Sequence, residues 1–222
     1  MSRKQNSSPK NTALLIFRIF AVAISLFAMT YRLIIAPILG DGWMQLIDTL
    51  GYFTIQTGLM VTVVFTSLLI NQIRGTPEKA PAPGIRGAVL LYTIIVSVIF
   101  FVMLKERIHF TGISNFVLYI NGCATAILLV IDNFLSIKPQ TYQWKLLIYW
   151  MIYPVAYLIF SIFEGLVFNH FRHYFLNFYE SGLSFYVLTM ILFFIFIAGM
   201  GALIIFLNKI YQKPQEHHEA DI

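Results

Sequence analysis

Six mostly apolar stretches follow one another along this chain, at 12–31, 46–70, 88–104, 113–134, 146–168 and 183–207. A helix rises ~1.5 Å per residue, so about 20 residues cross a hydrocarbon layer of ~30 Å, and each run has roughly that length. The runs are continuously apolar, whereas a membrane β-barrel needs alternating segments, so the sequence predicts an all-α polytopic membrane protein, a bundle of six transmembrane helices. Composition agrees: 59% of the 222 residues are hydrophobic and 11% are charged, and the mean hydropathy is +0.77. Soluble domains carry about 25% charged residues and cannot hide this much apolar surface. The expected organisation is a polar N-terminal tail at 1–11, one membrane domain at 12–208 and a solvated C-terminal tail at 209–222. The first run contains Arg18 and lacks a small-residue cleavage motif, so it reads as a retained span and not as a signal peptide.

Lysine and arginine set the expected orientation. The N-terminal tail, the links at 71–87 and 135–145 and the C-terminal tail together hold ten of the 15 Lys and Arg residues; the opposite links hold Arg32, Lys105, Arg107 and Arg172, and Arg18 lies within a span. Both termini are therefore expected in the cytoplasm. The formal net charge of +5 is spread over every inner link and not gathered on one face, which argues against nucleic acid as a partner. The partner expected is the lipid bilayer. The single cysteine, Cys123, excludes an internal disulfide and a thiolate cluster and reads as a packing residue. No Gly-rich phosphate loop and no histidine pair on facing spans is present, so no cofactor and no metal are expected. His217 and His218 in the tail and His109 in an outer link read as solvated.

Polar residues inside spans are costly in hydrocarbon and tend to face one another. The second run contains "YFTIQTG", with Thr54, Gln56 and Thr57. Thr54 and Thr57, three residues apart, share a helical face, and Gln56 is rotated away from them. Entering from the outer side near residue 46, Thr54 lies roughly 12 Å down, and Asn121 on the fourth run lies at a similar level. Glu164 lies about one turn below the outer end of the fifth run. Thr54, Thr57, Asn121, Glu164 and Tyr153 are thus expected to line a pocket in the outer half, capped by a loop carrying His170 and His173. Pro154 is expected to kink the fifth helix. Asp132 is expected to pair with Lys138 or Lys145, and Arg18 either snorkels inward or meets a carboxyl on a neighbouring helix.

The strings "YFTIQTG", "IRGAVLLYTIIVS", "YWMIYPVAYLIF" and "HYFLNF", in this order on these spans, resemble the androgen-induced-gene-type membrane proteins, most closely their bacterial six-span branch, from about residue 18 to 207. That resemblance implies a bacterial plasma-membrane protein. Animal members of the family are threonine hydrolases of fatty-acid esters of hydroxy fatty acids, using a threonine on the second span and a histidine on the fourth. The family threonine falls on Thr54, which makes Thr54 the implied nucleophile. The fourth run, however, carries Asn121, Gly122 and Cys123 where the histidine would stand. Asparagine does not accept a proton usefully at neutral pH, and a threonine hydroxyl needs a base. His170, His173 and Glu164 are the remaining base candidates. The expected function is a threonine-dependent lipid-ester hydrolase acting on an acyl substrate from the outer leaflet. The alternatives are a non-catalytic protein binding a lipid or partner and, third, a small transporter.

Overall fold

A computed structural model describes residues 9–40, 42–104 and 112–210 of the chain. The readings of the tails at 1–8 and 211–222, of His217 and His218, and of His109 lie outside these residues. Everything described is helix, turn or link, with no strand among the described residues. Six helices are long and apolar enough to cross a membrane: Asn11–Leu39, Phe53–Arg74, Pro83–Val102, Gly112–Ser136, Lys145–Phe168 and Leu183–Ile210, called the first to sixth spans below.

Their limits differ from the apolar runs for local reasons. The first span does not stop at Tyr31. It passes through a π-helical turn, Tyr31–Ile35, and continues as Ala36–Leu39, where Pro37 stands in the first turn and is tolerated, up to Gly40. The second run is two elements: a short helix, Trp43–Leu50, and the span proper, divided at Gly51 and the extended Tyr52 (φ −78, ψ 133). Gln56 answers for its polarity here, since its Nε2 donates to the Leu50 carbonyl at 3.0 Å and satisfies an acceptor that the break would leave open. The second span ends at Gly75 in the left-handed region (φ 67, ψ 30), with the Thr76 N–H donating to the Asn71 carbonyl at 2.9 Å. The third span starts at Pro83, earlier than its apolar run, because proline suits the first helical turn. The fifth helix runs unbroken through Pro154.

The chain forms two compact units, one up to Ser136 and one from Ile137. In the first unit the four spans alternate in direction. Its near end carries Asn11, Arg74, Pro83 and Ser136, and its far end carries Leu39, Phe53, Val102 and Gly112. The first span packs most closely on the second. Ala21, Ser25 and Ala28, spaced as one helical stripe, are each at most 1% exposed, and Ala28 packs in a cluster with Val117 and Ile120 of the fourth span. Lipid-facing positions stay uncovered: Ile16, Phe20 and Val63 are more than half exposed. At the far end Tyr31 and Ser114 share a 2.6 Å hydrogen bond, and Phe100 meets Tyr119 edge to face at 5.2 Å.

The second unit pairs the fifth and sixth spans. Asn208 ties its entering link to the sixth span: the Tyr142 N–H donates to Asn208 Oδ1 at 2.9 Å, and the Gln140 N–H donates to the Asn208 carbonyl at 3.1 Å. Lys209 stands 5.1 Å over the Trp144 ring. At the other end the segment after the fifth span folds back, and the Phe171 ring occupies the space where a side chain at Gly165 would begin.

Two glycines give a test of the packing. A Cβ at Gly122 would stand 2.8 Å from Cγ and Cδ1 of Phe100, whereas one at Gly199 would meet nothing within 4 Å. Gly122→Ala is expected to destabilise the protein by about 1–3 kcal/mol through overpacking. Gly199→Ala should leave stability unchanged or raise it by up to about 1 kcal/mol. Unfolding in detergent, followed by tryptophan fluorescence, separates the two.

Candidate functional site

Two polar centres occupy opposite ends of the first unit, and they differ in how well they are satisfied. At the near end, Asp132 accepts from Arg18 Nε on Oδ1 at 2.8 Å and from Arg86 Nη2 on Oδ2 at 2.5 Å. Arg18 also donates through Nη1 to Gln72 Oε1 at 2.9 Å, and Gln72 Nε2 donates to the Asn11 carbonyl at 3.1 Å. Ser136 donates to the Asp132 main-chain carbonyl at 2.7 Å and is itself a partner of Arg86. Four spans are thereby joined through one carboxylate that is 1% exposed. Asp132 therefore pairs with arginines on the first and third spans, and not with Lys138 or Lys145. Asp132 is buried within the four-helix unit, where the two guanidiniums supply both charge and geometry. Arg86, counted above as a link residue, is only 8% exposed.

At the far end the opposite holds. Thr57 is 1% and Asn121 5% exposed, yet the Thr57 Oγ1 and both polar atoms of the Asn121 amide have no hydrogen-bond partner among the described residues. Other buried threonines bond back to their own helices: Thr62 to the Gly58 carbonyl at 2.9 Å, Thr93 to Leu90 at 2.9 Å and Thr125 to Asn121 at 3.2 Å. Thr57 does not follow them. Asn121 sits in a second π-helical turn, Ile120–Ala124, which interrupts the fourth span. Its Oδ1 lies 3.5 Å from the point where a Cβ on Gly58 would be, so the amide faces the second span where that span has no side chain. Thr54, Thr57 and Gly58 share one helical face by their spacing of three and four residues. Thr54 is half-buried in the first turn of its span.

A hydroxyl and a primary amide offer three donors and several acceptor lone pairs between them. Left unmade in a buried place, such bonds cost about 1–3 kcal/mol per group. The arrangement suits hydrogen bonding to a carbonyl, ester or hydroxyl group entering between the second and fourth spans. π-Helical turns concentrate at functional sites, and a third one, Phe100–Leu104, lies at the same far end.

The other site candidates belong to the second unit. The Glu164 carboxylate is engaged by Arg172 in a two-pronged pair, Nε to Oε2 at 2.5 Å and Nη2 to Oε1. Arg172 also stands 5.9 Å from the centre of the Phe160 ring. Tyr153 is half-buried on the fifth span and His170 is exposed. His173 stacks flat on Phe175 at 5.1 Å. Burial first, and the adjacent Arg172 charge second, push the His173 pKa down to about 4. An imidazole of that basicity takes up protons poorly at neutral pH. Among the described residues no group of three or more His, Cys, Asp and Glu stands close enough to hold a metal ion. Comparison with protein-family models, with curated proteins and with solved structures finds no match to this chain.

Arg18, Gln72, Arg86 and Ser136 were not singled out together from the sequence. Their common signal is position: each lies within two turns of a near-end helix terminus, so alternating spans bring them to one level.

The His173 shift gives a pH test. Its folded pKa lies below the ordinary histidine value of 6.5, so the unfolded chain binds a proton that the folded chain refuses between pH about 4 and 6.5. This contribution to stability is complete above pH 6.5 and is lost as the pH falls towards 4. His173→Gln is expected to flatten the difference in unfolding midpoint between pH 7 and pH 5 relative to wild type.

Proposed function

We propose that this chain is a multi-pass plasma-membrane protein, bacterial in kind and with both termini in the cytoplasm, that binds a lipid through an ester or hydroxyl group. The excess of Lys and Arg on the links of one side supports the orientation. The observation that carries the binding reading is the buried pair Thr57 and Asn121, without hydrogen-bond partners among the described residues, with the Asn121 amide beside Gly58 and the Met29 side chain packed over that glycine. A polar lipid group placed there supplies the missing partners, while its acyl chains lie along apolar helix faces.

The hydrolytic reading stands second. Its support is the resemblance of "YFTIQTG" to the family string and the position of Thr54 on the same face, one turn from Gly58. A substrate ester held by Asn121 and Thr57 would bring its acyl carbon near that level. What the reading lacks is a base: the described part of the first unit contains no histidine, and its acidic residues are Asp48, Glu78 and the doubly paired Asp132.

Two measurements distinguish these roles. Thr57→Val and Asn121→Leu are expected to weaken photocrosslinking by a hydroxy-fatty-acid ester probe at least about fivefold, and to leave the empty protein as stable as wild type or more so, since each removes an unsatisfied buried polar group. Undiminished crosslinking in both variants counts against the binding reading. For hydrolysis, a fluorophosphonate probe should label wild type and not Thr54→Ala; equal labelling removes Thr54 from any catalytic role.

A further inference from the structure

The Asn121 amide sets a stricter demand on a ligand than a lone hydroxyl would. Its Oδ1 only accepts hydrogen bonds and its Nδ2 only donates them, and neither atom has a partner among the described residues although the residue is just 5% exposed. What lies beside the oxygen is apolar. At the point where a Cβ on Gly58 would stand, Asn121 Oδ1 is 3.5 Å away, and the Met29 thioether meets the same point with Cε at 2.5 Å and Sδ at 3.0 Å. Such a methyl group offers the amide oxygen no donor. Met29 is itself 4% exposed and packs with Ala28, Val117 and Ile120, so its tip fills the space at Gly58.

An ester alone does not answer this demand. Its oxygens accept from Nδ2 or from the Thr57 hydroxyl and leave Asn121 Oδ1 without a donor. An O–H group supplies that donor, and a carbonyl on the same head accepts from Nδ2. One hydroxyl does not serve both in good alignment, because the two amide atoms sit on a single carbon. Thr57 Oγ1, 1% exposed and next in sequence to Gly58, both donates and accepts, so it adds no requirement of its own. A charged head is disfavoured, since neither side chain supplies a counter-charge in a buried place.

We propose that this site takes an uncharged partial glyceride, a lipid with a free hydroxyl beside its ester carbonyl. This ligand class rests on the lipid-binding reading above, and it requires both groups where that reading requires either. The Met29 tip is what the head displaces. Methionine suits that part, because three rotatable bonds let a thioether swing aside while its helix stays in place.

The test uses the full chain in a neutral detergent, crosslinked by a 1-acylglycerol with a diazirine in its acyl chain. Three unlabelled lipids of equal chain length compete: the 1-acylglycerol, its 2,3-dimethyl ether and the methyl ester. The last two keep the carbonyl and lack the O–H. The 1-acylglycerol is expected to compete at about tenfold lower concentration than either, the ratio that one buried hydrogen bond gives, and Asn121→Leu should erase that preference. Equal competition by all three, with crosslinking still weakened by Thr57→Val, overturns the hydroxyl requirement and leaves lipid binding intact. Absence of saturable crosslinking to the second and fourth spans overturns both. Should Asn121→Leu fail to fold, Met29→Val decides: a shorter side chain over Gly58 should tighten 1-acylglycerol binding about threefold or more, because less has to be displaced. Unchanged affinity in that variant, or an undiminished preference in folded Asn121→Leu, overturns the proposal.

Discussion

Hydrocarbon offers no water to a charged group, so a carboxylate inside a helical membrane unit has to find its counter-charge on another helix. Asp132 does so twice, and the first unit is organised around that requirement. Arg18 reaches it across 114 positions of sequence and Arg86 across 46. Each contact limits how far its helix may rotate, because a guanidinium turned away would lose its bond to the carboxylate. Gln72 adds the second span through Arg18. Apolar packing alone cannot provide this, since lipid tails are as apolar as leucine and discriminate little between rotated helices.

The two ends of the unit consequently differ in character. The near end has a connected network in which each Asp132 oxygen is used. The far end has wide helical turns, an amide and a hydroxyl without partners among the described residues, and Gly122 pressed against Phe100. Stability resides in the first and unmet hydrogen-bonding capacity in the second, as expected where a fold keeps groups ready for a ligand. In the second unit, the Glu164 and Arg172 pair resembles the near-end solution on a smaller scale, one carboxylate and one guanidinium eight residues apart.

Much of the fold was legible because run length and apolarity report membrane spans directly. Boundaries were less so. Arg32 read as a stop, but one arginine among leucines and isoleucines does not end a helix; Gly51, inside an apolar run, does divide one. The polar residues Thr57 and Asn121 stood out against their surroundings, and Gln56 was rightly separated from them by its rotation. Asp132 was assigned to lysines close in sequence, because linear distance conceals what antiparallel helices bring together. Arg86 looked like a loop charge for the same reason. His173 and Glu164 lie in the second unit, where stacking on Phe175 and pairing with Arg172 occupy them in ways that no sequence spacing encodes.

The π-helical turns carry one more consequence. Each inserts a residue into the helical repeat, so every side chain beyond it is rotated by roughly 100° from the position that a uniform helical wheel assigns. In the first and fourth spans, residues on the two sides of such a turn that seem to belong to different faces can look the same way, and apparent stripes can be split. Amphipathic patterns computed through these spans will be out of phase at their far ends. Any chain related to this one by loss of a single residue there would regain a regular helix and re-aim Asn121 without altering a contact at the near end.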